Sequence, residues 1–236
     1  NFLATTFSNN EYNYFARLSL ASAIVNTFIY SVINNDFNRN LSSEPFRSVL
    51  YLIRVSSKFW LILLIPLVFG LSVLYDYIAY GIIAIVLGIV QAVLAVRQEE
   101  SFYRGGIIEF SYYSIVRPGI IFLLLNLLLR VHHSLSLESY LAILLILGLI
   151  DIIRLMLYKH HTHREVDIES ANISNGFAEL FASQFDRYLA SYIFTKTDFN
   201  TLHVTNTFRT AIFTTGKVFT RRLWVMDLKS PSVVNR

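Results

Sequence analysis

Long apolar runs separated by short polar stretches set the pattern of this chain. From Tyr77 to Val96 there are twenty consecutive residues without a charge. At about 1.5 Å of rise per residue, such a run reaches across a hydrocarbon core of about 30 Å. Phe59 to Tyr75 is nearly as clean, with Pro66 and Gly70 as expected bend points. Ile107 to Leu129 is interrupted by Arg117-Pro118-Gly119, which predicts a kink. Leu137 to Tyr158 follows the capping residue Ser136.

The remaining segments are more polar. A helix is predicted from Asn10 to Asp36, with Leu18, Ala21, Ile24, Val25, Phe28 and Ile29 on one side and Arg17, Asn26, Asn34 and Asn35 among them. Lipid offers polar side chains no partners, so this helix must face other helices or water. Ser42-Ser43-Glu44-Pro45 restarts a helix, with hydroxyl caps and a first-turn proline. After the polar stretch Lys159 to Asn175 come Gly176 to Phe194, carrying Glu179, Asp186 and Arg187, and the weaker segment Phe199 to Thr220. No spanning segment is predicted from Arg221 to Arg236.

Composition moves the picture further from a soluble domain. Charged residues make up 15% of the chain and hydrophobic ones 54%, against about 25% charged in soluble domains. A mean hydropathy of +0.50 agrees. There is no cysteine, so neither a disulfide framework nor a thiolate metal site is expected. The first residue is Asn, with no basic n-region or cleavage site near it, and the chain reads as a piece of a longer one that starts in the tail of a helix.

Lysine and arginine fall unevenly between the segments. Connections after the first, third, fifth and seventh predicted spans hold fourteen of them, from Arg39, Arg47, Arg54 and Lys58 to the cluster around Arg221 and Arg222. The alternate connections hold only Arg130 and Lys196. Basic loops stay in the cytoplasm, which accounts for the net charge of +4 without nucleic acid as a partner.

A weak internal echo fits this orientation. Phe7-Ser8-Asn9-Asn10-Glu11-Tyr12-Asn13 matches Phe194-Thr195-Lys196-Thr197-Asp198-Phe199-Asn200 at one offset of 187 residues. Each copy reads as a helix end, a turn and a new helix, with a hydroxyl cap and an acidic residue at the positive end of the following helix. Both copies fall on the outer side. The arrangement predicts a parallel repeat about an axis along the membrane normal.

Two stretches resemble the multidrug, oligosaccharidyl-lipid and polysaccharide exporter superfamily, in its bacterial O-antigen and exopolysaccharide flippase branch. Leu3 to Ala16 is similar to the turn between that family's first two helices. Phe185-Asp186-Arg187-Tyr188-Leu189-Ala190 through Asn200 is similar to its seventh helix and following turn. The family favours glycine where this chain has Asn13 and Asn200, and asparagine is the next most tolerant residue of a left-handed turn.

The resemblance implies an all-α, polytopic transmembrane bundle, with about seven visible spans of a two-lobed fold of twelve to fourteen helices. Residues 1–160 would form the N-terminal lobe (the tail of helix 1 and helices 2–6), 161–175 a cytoplasmic linker, and 176–236 the start of the C-terminal lobe (helices 7–8 and a tail). The implied function is flipping of undecaprenyl-diphosphate-linked oligosaccharide across the bacterial inner membrane, for O-antigen, capsule or exopolysaccharide synthesis. The implied partners are that substrate, membrane lipids and other polysaccharide assembly proteins. Competing classes are a membrane polysaccharide polymerase or glycosyltransferase, and a drug or cation exchanger of the same fold. No cofactor is expected, and no phosphate loop or nucleophile elbow points to an enzyme.

Within that frame, arginine pairs bidentately with phosphate and keeps its charge. Arg209 lies nine residues beyond Asn200, about 14 Å down a helix, and Arg117 is at comparable depth. Each would either line a substrate cavity or pair with a neighbouring acid or carbonyl. Arg17, nearer the outer interface, is a third candidate that can also snorkel. Asp186 and Arg187, adjacent and unable to face each other, are expected to pair with other helices in lobe packing or gating. Glu109 is either an ion-coupling site or a surface partner of Arg104, and Asp151 with Arg154 is read as a local i, i+3 pair. Tyr112, Tyr113, Tyr188 and Tyr192 suit sugar stacking or interface anchoring. His160, His161 and His163 lack a matching motif, so no metal is assigned to them.

Overall fold

The computed structural model describes residues 6–40, 64, 67, 68, 70, 78–103, 107–132, 136–157, 170–210 and 212. All secondary structure among them is helical. The elements are α1 (Asn9–Asn40), α2 (Ile78–Tyr103), α3 (Ile107–Ser111), a π-helical turn (Tyr112–Val116), α4 (Arg117–His132), α5 (Leu137–Leu157) and α6 (Ser170–Ile193). A further helix, α7, covers 196–210. Among the described residues three stretches are long and apolar enough to cross a membrane, Asn9–Val32, Tyr80–Gln98 and Tyr112–Val131. They mark a membrane protein. Most of Phe59 to Tyr75, and Ser42 to Pro45, lie outside the described residues.

The central element is α1. One side packs on α2, where Val25 and Ile29 meet Val90, Val93 and Leu94. Its other side packs on α6, where Ala16, Leu20 and Ile24 meet Leu180 and Ala190. Of the Asn9–Val32 window 61% is buried, against 6% of Tyr112–Val131. That contrast explains how α1 can be the polar span: Asn13, Arg17 and Ser22 meet protein, whereas α4 turns Phe122, Leu123, Leu127 and Val131 outward, as a helix facing hydrocarbon should.

Small residues set the helix spacing. A Cβ on Gly88 would come within 2.7 Å of the Ser22 carbonyl oxygen and 2.8 Å of Val25 Cβ, so α1 and α2 approach backbone to side chain as small-residue contacts permit. Nearby, Ser22 Oγ donates to Gln91 Oε1 at 3.2 Å. Gly176 likewise lets α6 close on Val32 and Phe28.

Two expectations change here. The kink expected at Arg117-Pro118-Gly119 is absorbed just upstream, in the π-helical turn. Pro118 has no N–H to donate and its ring crowds the preceding turn. Widening that turn relieves the crowding, and the N–H of Arg117 bonds to the carbonyl of Tyr112. Second, α6 begins at Ser170, inside the stretch read as a linker over 161–175. Ser174 and Asn175, in its polar first turns, are exposed.

Candidate functional site

The two echoing turns are built alike and touch. Ser8 caps α1, accepting from the Glu11 N–H at 3.3 Å, while Glu11 Oε2 accepts from the Ser8 N–H at 3.0 Å. This reciprocal pair is a capping box. In the second copy Thr195 Oγ1 accepts from the Asp198 N–H at 3.3 Å and donates to Asp198 Oδ2 at 2.6 Å. The helices then start with matching backbone bonds, Tyr12 to Ser8 and Phe199 to Thr195, both at 2.9 Å.

Asn13 and Asn200 are not turn residues. Each sits in the first turns of its helix, because the hydroxyl caps lie farther upstream, at Ser8 and Thr195. Their amides face each other: Asn13 Nδ2 donates to Asn200 Oδ1 at 3.2 Å and reaches the Lys196 carbonyl at 3.5 Å. Asn200 Nδ2 donates to the Asn9 carbonyl at 3.2 Å and to Asn9 Oδ1 at 2.7 Å. Asn9 and Lys196 are themselves equivalent in the echo. Both asparagines are buried, at 3% and 7% exposure.

Arg17 locks this junction to α6. Its Nε donates to Asn13 Oδ1 at 3.2 Å, its terminal nitrogen donates to the Ser191 carbonyl at 2.9 Å, and its guanidinium lies over the Phe199 ring at 5.7 Å. Snorkelling is therefore replaced by bridging to the Asn13 and Ser191 oxygens. Phe7, Tyr12, Phe15 and Tyr140 pack beside the junction. His203 contacts Tyr12 and Phe15 with ring centroids 6.0 and 5.6 Å apart.

Deeper along the helices, a polar chain crosses from α1 to α7. Gln184 Nε2 donates to Thr27 Oγ1 at 3.3 Å, Arg187 donates to Gln184 Oε1 at 3.1 Å, and Arg187 is 3.1 Å from His203 Nδ1. Asp186 does not join them. It is exposed and accepts from the neighbouring Arg187 N–H at 2.7 Å, because consecutive residues point about 100° apart around a helix.

Arg117 belongs to another cluster. Its Nε donates to Asp151 Oδ2 at 2.6 Å, with Asp151 only 1% exposed and Arg117 17%. Tyr112 Oη donates to Asp151 Oδ1 at 3.0 Å. The local Asp151 and Arg154 pair is thus corrected: Arg154 lies over the Tyr112 ring at 4.7 Å, and the carboxylate takes its charge partner from α4. The π-helical turn carries Tyr112 to the same carboxylate.

The structure does not gather the sequence candidates into one cavity. Arg209 is exposed on α7. Glu109 is on α3, but its side chain lies outside the described residues, as do Arg104, His160, His161 and His163. Tyr188 and Tyr192 pack edge to face at 5.3 Å, with Tyr192 exposed, and Tyr112 and Tyr113 do so at 5.1 Å. Among the described residues no group of three or more His, Cys, Asp or Glu is placed to hold a metal. The sequence reading missed His203 and Gln184. Helical spacing marked the first, since His203 lies four residues after Phe199 on the face that α7 buries. No protein-family profile, curated protein or solved structure matches the chain.

Proposed function

We propose that this chain carries an anionic, lipid-linked oligosaccharide between the leaflets of the bacterial inner membrane, as part of a two-lobed transporter of which the sequence predicts about seven spans. The observation that carries the reading is the reciprocal amide contact between the two turns. In it α1, assigned to the first lobe, and α7, assigned to the second, meet end to end through equivalent residues. Two like halves that meet at equivalent turns, with α1 also packed along α6, suit the rocking of one lobe against the other. Arginine-bearing surfaces below that junction would lower the barrier for a diphosphate, because guanidinium groups replace part of its hydration. Arg209 is the cargo-facing candidate, and Arg117 is assigned to structure by its ion pair. No bond-making step is proposed.

The test uses a host deleted for the intact gene. Lipid-linked oligosaccharide is expected to accumulate on the cytoplasmic leaflet, to be cleared by wild type and not by Arg209→Ala. Delivery of unassembled repeats to the outer leaflet in the deletion strain would refute flipping and favour a polymerase.

A further inference from the structure

The polar chain between α1, α6 and α7 has a direction. A guanidinium has only N–H donors, so at 3.1 Å from Arg187 the Nδ1 of His203 must accept. The imidazole is then neutral, with its proton on Nε2. It is 5% exposed and wedged between that guanidinium on α6 and the rings of Tyr12 and Phe15 on α1.

We propose that His203 is a proton-binding site whose protonation parts the two turns. The proposal rests on the transporter reading above and adds the coupling ion, a proton. Adding a proton at Nδ1 turns the acceptor into a donor and sets two cations against each other. The bond to Arg187 is lost, and α7 is pushed off α1 and α6, which stay packed on each other. Asn200 lies on the same buried face of α7 as His203, one turn nearer the end, so the displacement reaches the Asn13 and Asn200 pair.

The charged and titratable groups around the imidazole are few. Arg187 faces it from α6 and Tyr12 from α1, with Arg17 on α1 one turn beyond, held by Asn13 and the Ser191 carbonyl. Among the described residues no carboxylate contacts His203 to neutralise an imidazolium. A ligand shifts a two-state equilibrium only by its differential affinity for the two states. Here the proton is excluded from the closed state by Arg187 and admitted once the contact opens.

The absence of cysteine makes the test direct. Asn10→Cys and Thr197→Cys place spin labels on exposed positions of the two turns, in the intact protein in liposomes. Lowering the pH through and below the imidazole range of about 5 to 8 should replace the short label separation by longer ones. His203→Asn, which keeps an acceptor near Nδ1 and takes no proton, should hold the short separation throughout. Arg187→Gln should do the same, since an amide can donate to or accept from the imidazole. A wild-type separation that does not change with pH overturns the proposal, as does an undiminished response in His203→Asn. A full response in a protein that fails to clear lipid-linked oligosaccharide supports the proton site and refutes only the cargo.

Discussion

Replacing Asp151 by alanine tests what holds α4 and α5 together. The carboxylate is 1% exposed and holds Arg117 at 2.6 Å and Tyr112 at 3.0 Å. Removing one member of a buried pair leaves the other charge without compensation, which costs about 3–5 kcal/mol. The tyrosine hydroxyl also loses a bond to a charged acceptor, worth about 1.5–3 kcal/mol alone. The two losses share one carboxylate and do not add. Since Arg117 keeps 17% of its surface, part of its charge can be rehydrated, and we expect about 3 kcal/mol from equilibrium unfolding in detergent or lipid. The double variant Asp151→Leu with Arg117→Leu should recover most of that loss, because an apolar replacement leaves no buried ion behind. A cost below about 1 kcal/mol for Asp151→Ala would refute the reasoning, because a mostly buried guanidinium cannot lose its charge contact with Asp151 so cheaply.

Three further outcomes are expected. Asn13→Ala and Asn200→Ala should each cost about 1–2 kcal/mol by unfolding, with the double variant well short of the sum, because each single change orphans the partner amide. Gly88→Val should cost at least about 1–3 kcal/mol, the range for overpacking, since the first atom it adds meets the Ser22 backbone; a neutral result would mean that α1 and α2 do not approach as described. Asp186→Asn should change stability by no more than about 0.5 kcal/mol, as for other exposed positions, and a larger loss in the same assay would assign it a partner helix.

Three of the spans, the capping residues and the echo were legible because they depend on local chemistry. Ser8 and Thr195 cap where hydroxyl and acidic residues stand three apart, and apolar length located α2, α4 and α5. Partner choice was not legible. Asp151 has Arg154 one turn away in sequence, and nothing local reveals that Arg117, thirty-four residues earlier, comes closer. Asn13 was misread for a related reason: four cap-competent residues, Ser8, Asn9, Asn10 and Asn13, stand close together, and helix starts cannot be assigned among them from pattern alone. His203 sat unnoticed in a mixed segment because the value of a buried imidazole depends on the guanidinium brought to it from another helix.

The junction of the two turns is almost, but not fully, symmetric. Asn200 bonds both the backbone and the side chain of Asn9, whereas Asn13 reaches only the backbone of the equivalent Lys196. In a pair of identical subunits, any change at such a site appears twice and must suit both sides of the axis. A single chain carries the two sides as separate codons. One side can therefore keep the tighter grip while the other exchanges an amide for a lysine, giving the seam a strong half and a weak half and a preferred place for separation to begin.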